Sequence, residues 1–432
     1  MAVGFLAAAF MAHAAEPAAP SGIGDEKLRQ IMGRALAQPT AAQVGNPAVL
    51  TAKTVAPERL QERADLLASG EQALARRDVE TALQAFDRAA LILHAADTEI
   101  ALVRAYMQGG EYRRALAFGA HTAGAHLDVV GGAALYAWLL HAGGQSTIAE
   151  RLLTEAQGRS AANSTLTDVQ RQLRSGAPRA SGSMLALPTR LAPYGSSDGL
   201  PKAARVVGSG VLMQSGQEAL VPLALVPSSG TLWLRNGLGQ LVTARVTQRL
   251  IALGVARLRL GRALPVAENL WVAERDAFPG SVGYTVEFVA TPDAAPAWPV
   301  LRTGFLGGAA TQSTSRAISA AISPSISSSS NHNSTSPNRA SSTGSAYPRL
   351  LGIDMPPGPR GGPVFDSAGR LLGLSMAGVT GAPDRWVTAS ALPADLRRAL
   401  APAAPKDAEA RAAIDKIYEI GLKTTLQVIA LQ

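Results

Sequence analysis

"PPGPRGGPVFDSAGRLLGL", Pro356 to Leu374, is the stretch that decides the reading of the fold. A tight turn rich in Pro and Gly opens it. Gly361-Gly362-Pro363 follows Arg360, and an apolar strand start follows at Val364 and Phe365. Asp366 to Gly369 is an Asp-x-x-Gly turn, and Leu371 to Leu374 begins a second apolar strand. Short apolar runs separated by such turn residues are the mark of antiparallel β-structure.

The same pattern extends upstream as far as Ala204. "RVVGSGVLM", "EALVPLALV", "TLWLR", "LVTARVTQRLIAL", "VARLRL", "NLWVA" and "GYTVEFVA" follow one another at the spacing of a β-barrel. We assign residues 204–400 to this all-β domain. Thr311 to Ser345 interrupts it with 14 Ser and 4 Thr in 35 residues. Such a stretch cannot bury a core, and it is expected to be a disordered inserted loop. The strands resume at "YPRLLGIDM". Residues 401–432 end in "KDAEARAAIDKIYEIGLKTTLQVIALQ", read as an amphipathic helix running into a short apolar strand that docks on the body.

The first half has a different period. From residue 59 to 160 apolar residues recur at three and four, which predicts helices. Ala82, Ala115 and Ala149 lie 33 and 34 apart, and Gly110 and Gly144 lie 34 apart. Phe86 and Ala89 follow Ala82 at four and seven, as Leu153 and Ala156 follow Ala149. This period resembles the tetratricopeptide (TPR) repeat, whose helix pairs need small residues where they cross. Gly70, twelve before Ala82, and Tyr106, nine before Ala115, fit that pattern, whereas Gly119 stands where a bulky residue is usual. The resemblance implies about three stacked repeats with a surface for peptides or partner proteins. An ordinary helical bundle is the plainer alternative. Residues 161–203, with "GRSAANS", "RSGAPRASGS" and "PYGSSDG", read as a linker.

Composition narrows the function classes. The net charge of +8 is spread along the chain without a basic run, so no nucleic-acid partner is expected. The absence of cysteine excludes disulfides, thiolate catalysis and cysteine-ligated zinc. His94, His121, His126 and His141 all fall in the helical part. His121 and His126 are five apart, which on a helix points them to different sides, so these histidines are read as packing or surface residues and no metal or other cofactor is expected. The opening "MAVGFLAAAFMAHAAEPAAP" is an apolar run with an Ala12-His13-Ala14 cleavage pattern, though it lacks Lys and Arg. We read residues 1–15 as a signal peptide, 16–58 as an extended lead-in, and the protein as periplasmic or secreted. No later run is long and apolar enough to span a membrane.

The β part resembles the trypsin-like serine peptidase family, in its HtrA/Do-type branch. "GSGVLMQSGQEALVPLALV", "NGLGQLVTARVTQRLIALGVARLRL", "GPRGGPVFDSAGRLLGL" and "RWVTASALPADLRRAL" carry the likeness in the family's order. The resemblance implies a double β-barrel. It also places the histidine, aspartate and serine of the catalytic triad at Ala224, Gly254 and Arg360. The gap from 224 to 254 is 30, and that from 254 to 360 is 106, or 71 without the 35-residue insert. None of the three replacements can do the chemistry: a serine nucleophile needs an adjacent base and a group to orient that base. Independently of any alignment, the β domain holds one histidine, His332, inside the Ser-rich insert. The only lysine between 186 and 400, Lys202, precedes the first strand. Ser209, Ser367 and Ser375 have no base in view.

The fold expected is therefore multidomain: N-terminal all-α TPR-like repeats followed by a C-terminal all-β trypsin-like double β-barrel. The function expected is that of an exported pseudoprotease, which binds proteins or peptides through the repeats and a barrel edge. Arg360, with the N–H groups of Gly361 and Gly362, is a candidate for binding a carboxylate. Asp354, six residues earlier, is a candidate pocket residue. The plainer readings are a solvated arginine and a solvated loop carboxylate. The alternatives are a serine-type hydrolase with displaced catalytic residues, and a β-barrel of another family used structurally.

Overall fold

The computed structural model describes residues 55–431 apart from 161–162, 177–178, 189, 229–230, 310–347, 379–381 and 406–409. The expected signal peptide, most of the lead-in and the Ser-rich insert with His332 lie outside the described residues.

Three helical hairpins come first: Pro57–Ala75 (α1) with Val79–Ile92 (α2), Ala96–Gln108 (α3) with Tyr112–Ala125 (α4), and Val130–Ala142 (α5) with Ser146–Arg159 (α6). The same turn closes each pair. Arg77, Gly110 and Gly144 adopt positive φ (66°, 75° and 82°). The next residue's N–H then reaches back five residues: Asp78 to Ala73, Glu111 to Tyr106 and Gln145 to Leu140, at 2.8–2.9 Å. This is the Schellman stop, which satisfies carbonyls left open at a helix end. Glycine fills two of the three left-handed positions because it has no Cβ to clash. The crossing residues Ala82, Ala115 and Ala149 are fully buried, and a Cβ at Gly70 would collide with the Phe86 ring.

Residues 161–203 are not merely a linker. Ser164–Arg174 is a further helix (α7), capped by Asn163 and packed through Leu166, Val169 and Leu173. Those three apolar residues sit one helical turn or two apart among polar neighbours, a stripe just wide enough to dock.

The β part forms two closed six-stranded barrels. The first runs β1 (Ala204–Leu212), β12 (Thr425–Leu431), β3 (Leu232–Asn236), β4 (Leu241–Leu250), β5 (Val255–Leu260) and β2 (Glu218–Pro222). The second runs β10 (Leu371–Met376), β11 (Arg385–Thr388), β8 (Arg349–Gly352), β7 (Val300–Ala309), β6 (Val282–Glu287) and β9 (Pro363–Phe365). Each is filled by side chains, the first by Val221, Leu234, Leu258 and Val428, the second by Leu306, Val364, Leu372 and Trp386. Each such burial contributes about 1.5–3 kcal/mol.

Two local readings change and one gains detail. "NLWVA" forms no strand; Val272 makes only isolated bridges to Leu371 and Ala403. Val300–Ala309 is a strand that the apolar pattern did not mark. The C-terminal strand docks as part of a barrel wall. β12 pairs with β1 on one side and β3 on the other, completing the first barrel from the far end of the chain.

Helix Ile414–Thr424 (α9), which follows Ala394–Leu400 (α8), leads into β12 and joins the two halves. Tyr418 meets Tyr112 of α4 edge-on at 4.4 Å and donates to the Pro299 carbonyl at 2.8 Å. Glu419 accepts the Arg113 backbone N–H at 3.0 Å. Arg302 on β7 donates to the Gly176 carbonyl beyond α7 at 3.0 Å. The hairpins thus sit on the barrels through a buried aromatic pair and several cross-element hydrogen bonds.

Candidate functional site

Two of the three positions marked by the sequence, Ala224 and Arg360, line one cleft, and Gly254 sits beside the turn that carries Ala224. β2 ends at Pro222 and turns through Leu223–Leu225, carrying Ala224. Leu223 donates its N–H to the Gly254 carbonyl at 2.7 Å. Gly254 closes the 251–253 turn in the left-handed conformation (φ 66°), 3.2 Å short of Met376 for any added Cβ. Ala224 and Arg360 line one cleft of about 500 Å³, walled by Val207, Leu225, Gly358 and Ala377. Arg360 is the one ionisable side chain in its described lining. Among the described lining residues none can accept a proton from a hydroxyl at neutral pH.

Arg360 is neither solvated nor free. It is 8% exposed, and its Nε donates to Asp384 Oδ2 at 2.7 Å. Asp384 uses its other oxygen to accept the Gly378 N–H at 2.9 Å. The guanidinium thus pins the loop before β9 to the segment before β11.

The N–H groups of Gly361 and Gly362 are also taken. Gly361 donates to Ser375 Oγ at 3.0 Å, and Gly362 donates to both carboxylate oxygens of Glu287 at 3.0 Å. Glu287, at the end of β6, also accepts from Ser375 Oγ and from Thr285 Oγ1. Burial pushes the Glu287 carboxyl up, against the donors around it and the charge of Arg360. Across the junction Ser209 of β1 bridges the Phe288 backbone, accepting its N–H at 2.8 Å and donating to its carbonyl at 3.2 Å. A Cβ at Gly361 would collide with the Ser209 carbonyl, which explains the glycine. These groups form a sealed polar knot between the barrels. Ser209 and Ser375 are fully buried in it.

Asp354 is exposed beyond β8, where its charge acts on Arg302, and it does not line the cleft. Sequence reasoning missed Asp384 and Glu287. Glu287 had one signal, a lone carboxylate inside the apolar run "GYTVEFVA". Asp384 had none, because its partner lies across a loop.

The helical part holds a second cluster, made by residues read above as unrelated. His94, Glu99 and His126 place ligand atoms within 4.8 Å of one another, and His121 lies 3.3 Å from Glu99 Oε1. The expectation that His121 and His126 diverge fails because α4 stops at Ala125. His126 is its cap, at φ −114° and ψ 64°, and is free of helical geometry.

No family model matches the chain, and no curated protein matches it. Among solved structures it is similar to the inactive form of the Rv3671c protease, at 14% identity over 45% of this chain and 89% of that one, TM-score 0.29. The MamO protease domain from Magnetospirillum magneticum, in its apo form, matches at 16% identity over 46% and 96%, TM-score 0.27. The HtrA-type protease AlgW with a decapeptide matches at 14% identity over 44% and 49%, TM-score 0.27. The fold assignment rests on the topology itself: two closed six-stranded barrels with a cleft at their junction, the trypsin-like double β-barrel, preceded by helical hairpins.

Proposed function

We propose that the protein is an exported, non-catalytic peptide-binding scaffold: a trypsin-like pseudoprotease joined to TPR-like repeats. One observation carries the reading. At the positions that the family resemblance marks for a triad, this chain has Ala224, Gly254 and an Arg360 locked to Asp384. The cleft persists without a nucleophile or a base. The hydrolase alternative finds little support, because Ser209 and Ser375 are sealed in the inter-barrel knot and bonded to its own groups.

Both barrels close, so a peptide strand cannot simply join a free sheet edge. The β10–β11 ladder ends at Met376, and Ala377 and Gly378 then run along the cleft. Since the Gly378 N–H is held by Asp384, the Ala377 backbone is where an extended peptide would find partners. Arg360, spent on Asp384, shapes the wall and does not receive the ligand. The apolar opening run and the lack of cysteine support export.

The test is selection of displayed peptides on the full chain, followed by anisotropy measurements on those selected. Ala224→Trp, at an exposed position on the cleft wall, should abolish binding while leaving the melting temperature unchanged. Peptides that bind wild type and Ala224→Trp equally would contradict the assignment of the cleft.

A further inference from the structure

Four side chains from three segments of the helical part converge on one point. His94 follows α2, Glu99 lies in the first turn of α3, His121 lies near the end of α4, and His126 caps it. His121 Nε2 is 3.3 Å from Glu99 Oε1, and His126 Nε2 is 3.4 Å from Glu99 Oε2, with His94 Nε2 closer still. The rings of His121 and His126 stand 5.9 Å and 5.4 Å from that of His94.

Two observations point to a cation between them. The first is the set of orphaned atoms. The Glu99 side chain is 5% exposed, yet its Oε2 and the Nε2 atoms of His121 and His126 make no well-aligned hydrogen bond; the imidazole nitrogens only face the carboxylate at 3.3 and 3.4 Å. Buried polar atoms are rarely left so, because each unpaired group costs about 1–3 kcal/mol. Here three of them face one small volume. The second is the spacing. An ion held at about 2.0–2.1 Å by imidazole nitrogen and carboxylate oxygen sets ligand atoms about 3.4 Å apart in a tetrahedron. The 3.4 Å separation of His126 Nε2 and Glu99 Oε2 matches that edge, and His94 Nε2, now hydrogen-bonded to Glu99 Oε1, has to draw back by less than about 1 Å to reach it.

We propose that His94, Glu99 and His126 bind a divalent transition ion of the zinc class, with His121 steadying the Glu99 carboxylate. The donor set has nitrogen and one carboxylate and no sulfur, which suits Zn²⁺, Cu²⁺ or Ni²⁺ and not Ca²⁺ or Mg²⁺. His94 is half exposed, so the ion enters from solvent. Once bound, it staples the α2–α3 connection to the end of α4, locking the first hairpin onto the second.

The experiment uses untagged full-length protein, stripped with chelator and titrated with Zn²⁺ by calorimetry in two buffers of different ionisation heat. One equivalent should bind and raise the melting temperature. Glu99→Gln and His126→Ala should each weaken binding by about a hundred-fold or more, and His121→Ala by about ten- to a hundred-fold. His141→Gln, a histidine of the same domain outside the cluster, should bind as wild type does. Circular dichroism checks that the variants keep their helices. If one does not, the absorption of Co²⁺-loaded wild type decides, with imidazole-ligated bands expected. Wild type that takes up less than one equivalent, Co²⁺ that gives no such bands, or Glu99→Gln and His126→Ala that bind zinc unchanged would overturn the proposal.

Discussion

Asp384→Ala should unfold the protein far more readily than an exposed salt-bridge mutation does. The Arg360 side chain is 9% exposed and that of Asp384 19%. Removing one partner of a buried pair leaves an uncompensated charge, at about 3–5 kcal/mol. Water reaching the partly exposed Asp384 site puts the cost at the low end, about 3 kcal/mol. The Gly378 N–H also loses its acceptor, adding about 1 kcal/mol. Arg360 would keep only a 3.4 Å contact with the Pro359 carbonyl. The expected total is about 3–4 kcal/mol, read as a shift of the urea midpoint. Fluorescence of Trp386, fully buried two residues along the chain, reports the transition. Arg360→Met leaves Asp384 nearer to water and should cost less, and a double-mutant cycle should give a coupling of about 2 kcal/mol. A loss below about 1 kcal/mol for Asp384→Ala, the range of exposed pairs, would refute the view of Arg360 as a buried clamp.

Arg77→Gly should raise stability by about 1 kcal/mol, because Arg77 alone among the three hairpin turns pays left-handed strain with a Cβ; an unchanged or lowered melting temperature would count against the shared turn. His141 is buried, and burial, aided by Arg302, pushes its imidazole down from 6.5 to about 4. The unfolded chain takes up that proton below about pH 6.5 while the folded chain resists to about pH 4, so stability falls as pH falls through this window, by about 3 kcal/mol. His141→Gln should remove that part of the acid slope, and parallel slopes in denaturation at pH 7 and pH 4.5 would contradict it. Ile429→Ala in β12 should cost about 3 kcal/mol, and a chain ending at Thr424 should lose cooperative unfolding, since the first barrel then lacks its sixth strand; an unaltered transition in the truncated chain would show that β12 is dispensable.

What was legible in the sequence was local or periodic. The 33- and 34-residue spacing of Ala82, Ala115 and Ala149 marked the hairpins because each helix crossing demands a small residue at one register. The third left-handed turn was hidden because Arg77 carries no glycine signal. α7 was masked by the Ser- and Arg-rich stretch around its three apolar residues. β7 was masked by its glycines and by Phe305, which faces solvent. The place of β12 could not be read locally, since its partners on β1 and β3 are set by closure of a barrel roughly two hundred residues upstream. Of the positions marked by order and spacing, Ala224 and Arg360 line one cleft and Gly254 does not. The fate of Arg360 was not legible, because a buried ion pair across a loop leaves no pattern. The histidine cluster was missed for a related reason: helical periodicity was carried one residue past the end of α4.

The central claim is that the cleft binds and does not cut. The most direct measurement is fluorophosphonate labelling of the full chain together with casein hydrolysis, with trypsin as the active control and Ala224→His, Gly254→Asp, Arg360→Ser as the restored-triad variant. The account predicts no label and no hydrolysis from the wild-type protein. Stoichiometric labelling of one serine in wild type, with casein turnover that is lost when that serine is replaced by alanine, would contradict it.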